Sequence, residues 1–139
     1  MAQDDVLQHI EKIVEEMGLL LVDMNLFQAG RRRVLRVLVD RQGRVTLDEC
    51  AELSRKIGDT VETLDLIQEA YTLEVSSPGI GRALATENDW IRCRGRKIEI
   101  RTELEEYTGV LEGHGNGILS FQDGREIPLN GVLAAREVI

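Results

Sequence analysis

Residues 71–84, YTLEVSSPGIGRAL, constrain the fold most strongly, because a strand pattern ends there abruptly. Tyr71, Leu73 and Val75 alternate with polar residues, and this period of two is typical of a strand with one buried face. The residues beyond it are rich in glycine and carry a cation, Arg82. The stretch therefore predicts a half-buried strand followed by a change of structure.

The four residues that end this strand have the chemistry of a tight turn. Pro78 favours an extended conformation at Ser77, and its own φ suits the second position of a turn. Gly79 tolerates the positive φ that a type II turn requires next. We therefore expect a structural turn at Ser76, Ser77, Pro78 and Gly79.

The residues before this strand predict a helix and a β-hairpin. Asp4 or Asp5 is expected to cap the helix and Gly18 to end it. Apolar strands are predicted at 19–27 and 34–40, joined by the polar loop QAGRRR and paired antiparallel, with Arg36 opposite Asp23 or Asn25. The apolar face of the helix consists of Val6, Ile10, Ile13 and Met17.

A second helix has the clearest start signal in the chain. Thr46 followed by Glu49 forms a capping box, which satisfies two backbone amides at a helix N-terminus. With the 71–84 strand, this helix completes an α-β-β-α-β domain that has two helices on one side of a three-stranded sheet. Its predicted buried stripe consists of Cys50, Leu53, Ile57, Val61 and Leu64.

Beyond residue 84 the pattern changes to short strands and tight turns. A helical turn capped by Thr86 is expected first, and then strands at 97–102, 108–112, 118–122 and 125–129. Gly109 is a predicted bulge, and Asn116-Gly117 and Asp123-Gly124 are predicted turns. The last nine residues form either a closing strand or a turn of tight helix. The fold class is thus α+β, with an N-terminal domain at 1–84 and a small β barrel at 85–139.

The net charge of −8 is unevenly distributed. Residues 19–45 carry a net charge of +4 and residues 82–101 carry +3, so the remainder carries −15. Such segregation favours RNA contact over a small area with repulsion elsewhere, although simple solvated charge explains it equally well. The start of the chain has no basic and apolar secretory pattern, so a cytoplasmic location is expected.

Catalytic and metal-binding motifs are absent from the sequence. His9 and His114 are the only histidines, and Cys50 and Cys93 are isolated from each other. No phosphate-binding loop or nucleophile motif is present. We therefore expect neither an enzyme nor a bound cofactor or metal.

Two clusters of cations are the candidate RNA contacts. Loop arginines can bind phosphates, although charges at a hairpin tip also discourage edge pairing. The lone Trp90 beside the second cluster is either domain-interface core or a base-stacking platform, and the first is favoured. The candidates are Arg31, Arg32, Arg33, Arg82, Arg92, Arg94, Arg96 and Lys97.

SSPG after an alternating LEV strand, with Arg82 three positions past Gly79, resembles the signature of the bacterial ribosome maturation factor RimP family. GLLLVDM, VLRVLVD, VTLDECAELSRKIGD and EEYTGVLEG resemble the family in the same order. Gly81 and Ala83 depart from its pattern, where an acid and a second proline are usual. The corner is therefore expected to be looser than in most members.

The resemblance implies a second domain similar to an SH3 or Sm barrel. It also implies a non-catalytic factor that binds the free small (30S) ribosomal subunit, through ribosomal RNA and a ribosomal protein near the decoding region. A monomer with no membrane partner is expected. The alternatives are an Sm-like RNA-binding or RNA-chaperone module that forms rings, and a protein-only adaptor that uses the barrel to bind peptides.

Overall fold

The computed structural model describes residues 3–139, and these divide into two compact units. The first unit contains residues up to Asp40 and from Arg44 to Pro78, and the second contains Arg41–Gly43 and Gly79–Ile139. The first unit has helices on a three-stranded sheet, and the second is built on a five-stranded antiparallel sheet. The predicted α+β class is confirmed. The domain boundary at residue 84 stays a prediction.

The first unit has the predicted α-β-β-α-β order. The sheet order is β1-β2-β3, in which β1 and β2 are antiparallel and β2 and β3 are parallel. Asn25 pairs with Arg36, one of the two partners expected for that arginine. The elements are α1 (Gln3–Glu16), β1 (Leu20–Ala29), β2 (Arg32–Asp40), α2 (Leu47–Thr63) and β3 (Tyr71–Ser76).

The core of the first unit lies between one face of β2 and the two helices. Leu35, Val37 and Val39 are each 0% exposed and belong to one apolar cluster with buried residues of α1 and α2. Because side chains alternate along a strand, Arg32, Val34, Arg36 and Leu38 point to the opposite face. The strand therefore has one face in the core and one face directed away from the helices.

Two details of the predicted helices are wrong. Asp4 and Asp5 lie within α1, which begins at Gln3, and so do not precede the helix as caps. Leu64 is 46% exposed because α2 ends at Thr63, and Leu66 is buried in its place. The capping box at Thr46 is confirmed, with Glu49 N donating to Thr46 Oγ1 at 3.1 Å and Thr46 N donating to Glu49 Oε1 at 2.9 Å.

The turn after β3 lies later than predicted. Gly79 does not have a positive φ, whereas Gly81 has a φ of +96°. One residue, Gly79, separates Pro78 from the turn at Ile80 and Gly81. The type II turn expected at Pro78 and Gly79 is therefore wrong, and Gly81 provides the left-handed conformation.

The second unit contains one short helix and a sheet of order β7-β6-β5-β4-β8. All four strand pairs are antiparallel. Closure of this sheet into a barrel stays a prediction. The elements are α3 (Glu87–Arg92), β4 (Lys97–Arg101), β5 (Glu106–Gly115), β6 (Ile118–Phe121), β7 (Glu126–Pro128), a 3₁₀ turn (Leu129–Gly131) and β8 (Ala134–Glu137).

The irregularity of β5 does not lie at the predicted glycine. Gly109 pairs regularly with Ile98, and the register shifts between Leu111 and Gly113. Gly109 instead makes room for the Tyr107 ring, because a Cβ added there would lie 2.3 Å from the Tyr107 hydroxyl oxygen. The last nine residues contain the strand β8, which is the first of the two alternatives considered for them, and the 3₁₀ turn shares only Gly131 with this segment.

Candidate nucleic-acid interface

The tip of the β1–β2 hairpin presents two exposed arginines. Arg31 and Arg32 are both exposed, immediately after Gly30, whose φ of +62° allows the tight reversal. The Gln28 side chain also stabilises this turn by donating from Nε2 to the Gly30 carbonyl at 3.2 Å. The two exposed arginines thus lie at a short turn whose backbone accepts a side-chain hydrogen bond.

Arg33, the third arginine of this cluster, has different surroundings. Its side chain is 36% exposed, and Nε lies 3.2 Å from Glu69 Oε1. It alternates with Arg32 along β2 and so points to the opposite side of the strand. The three arginines therefore do not act as one cluster, and the ion pair with Glu69 offsets the charge of Arg33.

The sheet face away from the helices carries a further cation that the sequence did not single out for binding. The Arg36 guanidinium lies over the Phe27 ring, with Cζ 5.0 Å from the ring centroid, and Nε donates to Glu74 Oε1 at 2.9 Å. Phe27 pairs with Val34, two residues before Arg36 on β2, so it is the diagonal neighbour of Arg36. The sequence signal that could have identified this contact is the alternation of side chains along two paired strands, which puts Phe27 and Arg36 on the same face.

We name the set Arg31, Arg32, Arg36 and Phe27 the arginine face. Exposed guanidinium groups bind phosphate oxygens bidentately, and an aromatic ring offers a surface for base stacking. The Arg36 side chain is 48% exposed, and the Phe27 side chain is partly exposed. Glu74 competes for Arg36, so Arg31 and Arg32 are the better-placed phosphate contacts.

In the second cluster, Arg92 is buried. Its side chain is 2% exposed and lies against Asp89, with Nε 3.1 Å and Nη2 3.0 Å from Oδ1. A buried guanidinium cannot reach phosphate without disrupting the core. The prediction that Arg92 contacts RNA is therefore not supported, and Arg92 has a structural role.

Asp89 connects Arg92 to the N-terminus of α3. Its Oδ2 accepts from the backbone amides of Ala85 at 2.9 Å and Thr86 at 3.0 Å, and Thr86 Oγ1 accepts from Asp89 N at 3.2 Å. Burial alone would raise the pKa of Asp89, but these amides and the Arg92 guanidinium outweigh it and hold the pKa below its usual value. The carboxylate is therefore charged and fully engaged at neutral pH.

Arg96 is buried as well. It is 7% exposed, and Nη1 lies 3.5 Å from Oε1 of Glu137, which is 6% exposed. This pair joins the residue before β4 to the last residue of β8. Arg96 is thus corrected from a candidate RNA contact to a buried ion-pair partner.

Arg94 and Lys97 are the exposed members of the second cluster. Lys97 lies on β4 opposite Val110, and the Arg94 guanidinium passes close to Gly113, where an added Cβ would lie 2.8 Å from Nη2. Trp90 is 4% exposed and belongs to the apolar core of the second unit. It is therefore not a base-stacking platform, and it packs within its own unit.

The remaining candidates surround the corner after β3. Arg82 is half-buried and precedes Ala83, which bridges to Arg136 of β8. Ser76 is the last residue of β3 and pairs with Leu38, whereas Ser77 and Gly79 are exposed and Pro78 is half-buried. The predicted turn at these four residues is therefore wrong, because Ser76 ends the strand and the chain turns at Ile80 and Gly81.

Among residues 3–139, no group of three or more His, Cys, Asp or Glu side chains is placed to hold a metal ion. His114 Nε2 lies 3.7 Å from Glu87 Oε1. Burial raises the pKa of both buried thiols, Cys50 and Cys93. No helix of the described residues is long and apolar enough to cross a bilayer.

The sequence matches the family model described as the RimP N-terminal domain, over residues 9–81. The match begins within α1 and ends at Gly81, three residues past the end of the first unit. It includes the capping box, the hairpin with Arg31 and Arg32, and the SSPG corner. Because it extends over more than half of the 139 residues, the chain belongs to the ribosome maturation factor RimP family.

Proposed function

We propose that this protein is a non-catalytic assembly factor for the small (30S) ribosomal subunit. The observation that carries the proposal is membership of the RimP family. The protein would act in the cytoplasm as a monomer and bind the free subunit transiently. Its contacts would be ribosomal RNA and a ribosomal protein near the decoding region.

The arginine face is the RNA contact that the side chains support best. Arg31 and Arg32 stand on an ordered turn, and Arg36 and Phe27 extend the same surface along the sheet. Arg94 and Lys97 are the exposed contact candidates of the second unit, and Arg82 is retained as a half-buried one. Arg92 and Arg96 are withdrawn, since both are buried against carboxylates.

A small basic area on an acidic protein suits a transient partner. Each phosphate contact releases counterions and so adds affinity that falls with salt. The chain as a whole carries a net charge of −8, so RNA is repelled from most of its surface. Binding of this kind is of modest affinity, is selective for one site on the RNA and is readily reversed.

Sedimentation of cell extract through a sucrose gradient tests the proposal. We expect the protein to travel with free small subunits, to be absent from joined ribosomes and to be released at higher salt. A protein that remains at the top of the gradient at every salt concentration would overturn the assembly role.

A pair of charge-reversal variants tests the arginine face itself. The double variant Arg31→Glu with Arg32→Glu should abolish co-sedimentation. It should also reduce the slope of log affinity against log salt concentration by the amount expected for the loss of about two phosphate contacts. Arg55→Glu with Lys56→Glu changes the net charge equally on the exposed side of α2 and should have little effect. Equal losses for both pairs would mean that only net charge matters.

A further inference from the structure

The second unit contains a groove that differs in chemistry from the arginine face. Its volume is about 470 Å³, and it lies between the turn at 102–105 and the segment at 125–133. Ile127, which is 5% exposed, and Pro128 contribute apolar lining. We name it the acidic groove, for the glutamates described below.

Two large apolar side chains line this groove and are exposed to water. Leu104 is 94% exposed and Leu133 is 58% exposed. Burial of a leucine on binding is worth about 1.5–3 kcal/mol, so each is a ready anchor for a partner. Their position at one groove distinguishes them from leucines scattered singly over a surface.

The backbone of Leu104 belongs to a hydrogen-bonded turn. Thr102 Oγ1 accepts from the backbone amides of Leu104 at 3.3 Å and Glu105 at 3.2 Å, and Thr102 N donates to the Glu105 carbonyl at 2.9 Å. An anchor on an ordered turn loses little conformational entropy on binding. The exposed leucine is therefore already arranged for contact.

The charge of the groove determines which partner it fits. Glu103, Glu105 and Glu126 line it together with a single cation, Arg125. Arg125 is paired with Glu105 and lies over the Tyr107 ring, with Cζ 4.7 Å from the centroid. The net charge is negative, so the groove repels phosphate and attracts a cationic segment.

We infer that the acidic groove binds a basic protein segment that carries an aliphatic side chain. The aliphatic group would pack against Leu104 and Leu133, and lysine or arginine side chains beside it would pair with Glu103 and Glu126. The acidic groove and the arginine face lie on different units and share no residue. The inference stands apart from the proposed RNA contact, which uses other residues.

Titration of the full chain with synthetic peptides, followed by backbone amide NMR shifts, tests the inference. The probes are lysine-rich peptides that carry one, two or three leucines, the same peptides with glycine for leucine, and versions with glutamate for lysine. We expect shifts at 102–105 and 125–133 with the leucine peptides and at least about tenfold weaker binding with the glycine peptides. Binding of none of the leucine peptides, or shifts confined to α1 and α2, would overturn the inference.

Substitution of exposed leucines supplies a matched control. Leu104→Ser should weaken peptide binding about tenfold, whereas Leu47→Ser, at an 89% exposed position of the first unit, should leave it unchanged. Glu103→Gln with Glu126→Gln should reduce both the affinity and its salt dependence. Equal binding by the Leu104→Ser and Leu47→Ser variants would contradict the inference, as would RNA binding or self-association that depends on Leu104.

The same variants distinguish failure of this inference from failure of the proposed function. Arg31→Glu with Arg32→Glu should leave peptide binding intact, and Leu104→Ser should leave binding to isolated small-subunit RNA intact. If none of the peptides bound while the RNA-binding predictions held, the inference about the acidic groove would be wrong and the proposed RNA contact would be unaffected.

Discussion

The Arg92 guanidinium lies against the Asp89 carboxylate in the interior of the second unit, with Nη2 3.0 Å from Oδ1. The two side chains are 2% and 6% exposed. Because Asp89 also accepts from two backbone amides at the start of α3, the pair connects a helix end to the core. It is a structural ion pair, and its cation, Arg92, belongs to a stretch that is basic in the sequence.

Removal of one partner of this pair should strongly destabilise the second unit. Arg92→Ala leaves the Asp89 carboxylate buried without its cation, which costs about 3–5 kcal/mol of unfolding free energy. Arg94→Ala, two positions away and exposed, should change stability by less than about 0.5 kcal/mol. Urea unfolding followed by fluorescence of Trp90, the single tryptophan, reports on this unit directly. Similar midpoints for the two variants would contradict the structural role of Arg92.

The lowered pKa of Asp89 predicts acid sensitivity. The stabilisation is fully present above the unfolded pKa of 3.8 and is lost as the pH falls through the lower folded pKa. Asp89→Asn should reduce stability at neutral pH and flatten the dependence below about pH 4. The measurement is the urea midpoint of Trp90 fluorescence across this range. Parallel pH profiles for the two proteins would show that other carboxylates are responsible.

Tyr107 should titrate at an unusually high pH. Burial and a hydrogen bond to Asp123, with 2.5 Å between Tyr107 Oη and Asp123 Oδ2, raise the pKa of Tyr107 to about 12. Its contribution to stability is therefore complete below the unfolded value of 10.0 and is lost as the pH rises towards 12. Asp123→Asn should lower the Tyr107 pKa, as followed by phenolate absorbance. Tyr71→Phe removes the other tyrosine signal, and an unchanged Tyr107 titration in Asp123→Asn would refute the assignment.

Gly109 and Tyr107 should be energetically coupled. Gly109→Ala places a methyl group against the Tyr107 ring, which packs edge-on against Phe121 with a centroid distance of 4.9 Å. Overpacking of this kind costs about 1–3 kcal/mol. Gly115→Ala on the same strand meets nothing within 4 Å and should be nearly neutral. The penalty at Gly109 should largely disappear in a Tyr107→Ala background, and a penalty that persists there would indicate backbone strain instead.

Phe27 should contribute to RNA affinity through its aromatic ring. Phe27→Leu retains an apolar side chain but removes the stacking surface, which is worth about 1–3 kcal/mol per stacked base. We expect binding to a single-stranded RNA probe to weaken by about tenfold, and Phe27→Tyr to retain most of it. Fluorescence anisotropy at fixed salt measures the difference. Equal affinities for Phe27→Leu and the unchanged protein would mean that the arginine face contacts only phosphates.

The parts of the fold that sequence predicted rest on local rules. The capping box at Thr46 and Glu49 involves residues three positions apart, and the alternation of Leu35, Val37 and Val39 involves a single strand. Each signal is complete within a few residues. Both features are confirmed for that reason.

The errors occur where the outcome depends on which partner the fold places beside a side chain, whether that partner is near or distant in sequence. Arg92 and Arg94 look equivalent in sequence, but Asp89 neutralises the first and allows it to be buried. Arg96 is buried because Glu137, forty-one positions later, pairs with it. A glycine within a strand pattern suggests a bulge, but Gly109 is in regular pairing and makes room for the Tyr107 ring. Periodicity and composition identify the residue types but do not say which of them the fold brings into contact.

The two faces of β2 place a limit on how the hairpin can change in length. A single residue inserted at the start of β2 would direct Arg36 towards the helices and Leu35 towards the arginine face. An insertion of two residues would restore both sets to their places. We therefore expect this hairpin to tolerate insertions of an even number of residues better than insertions of an odd number. An odd insertion would disrupt the apolar core and the cationic surface together.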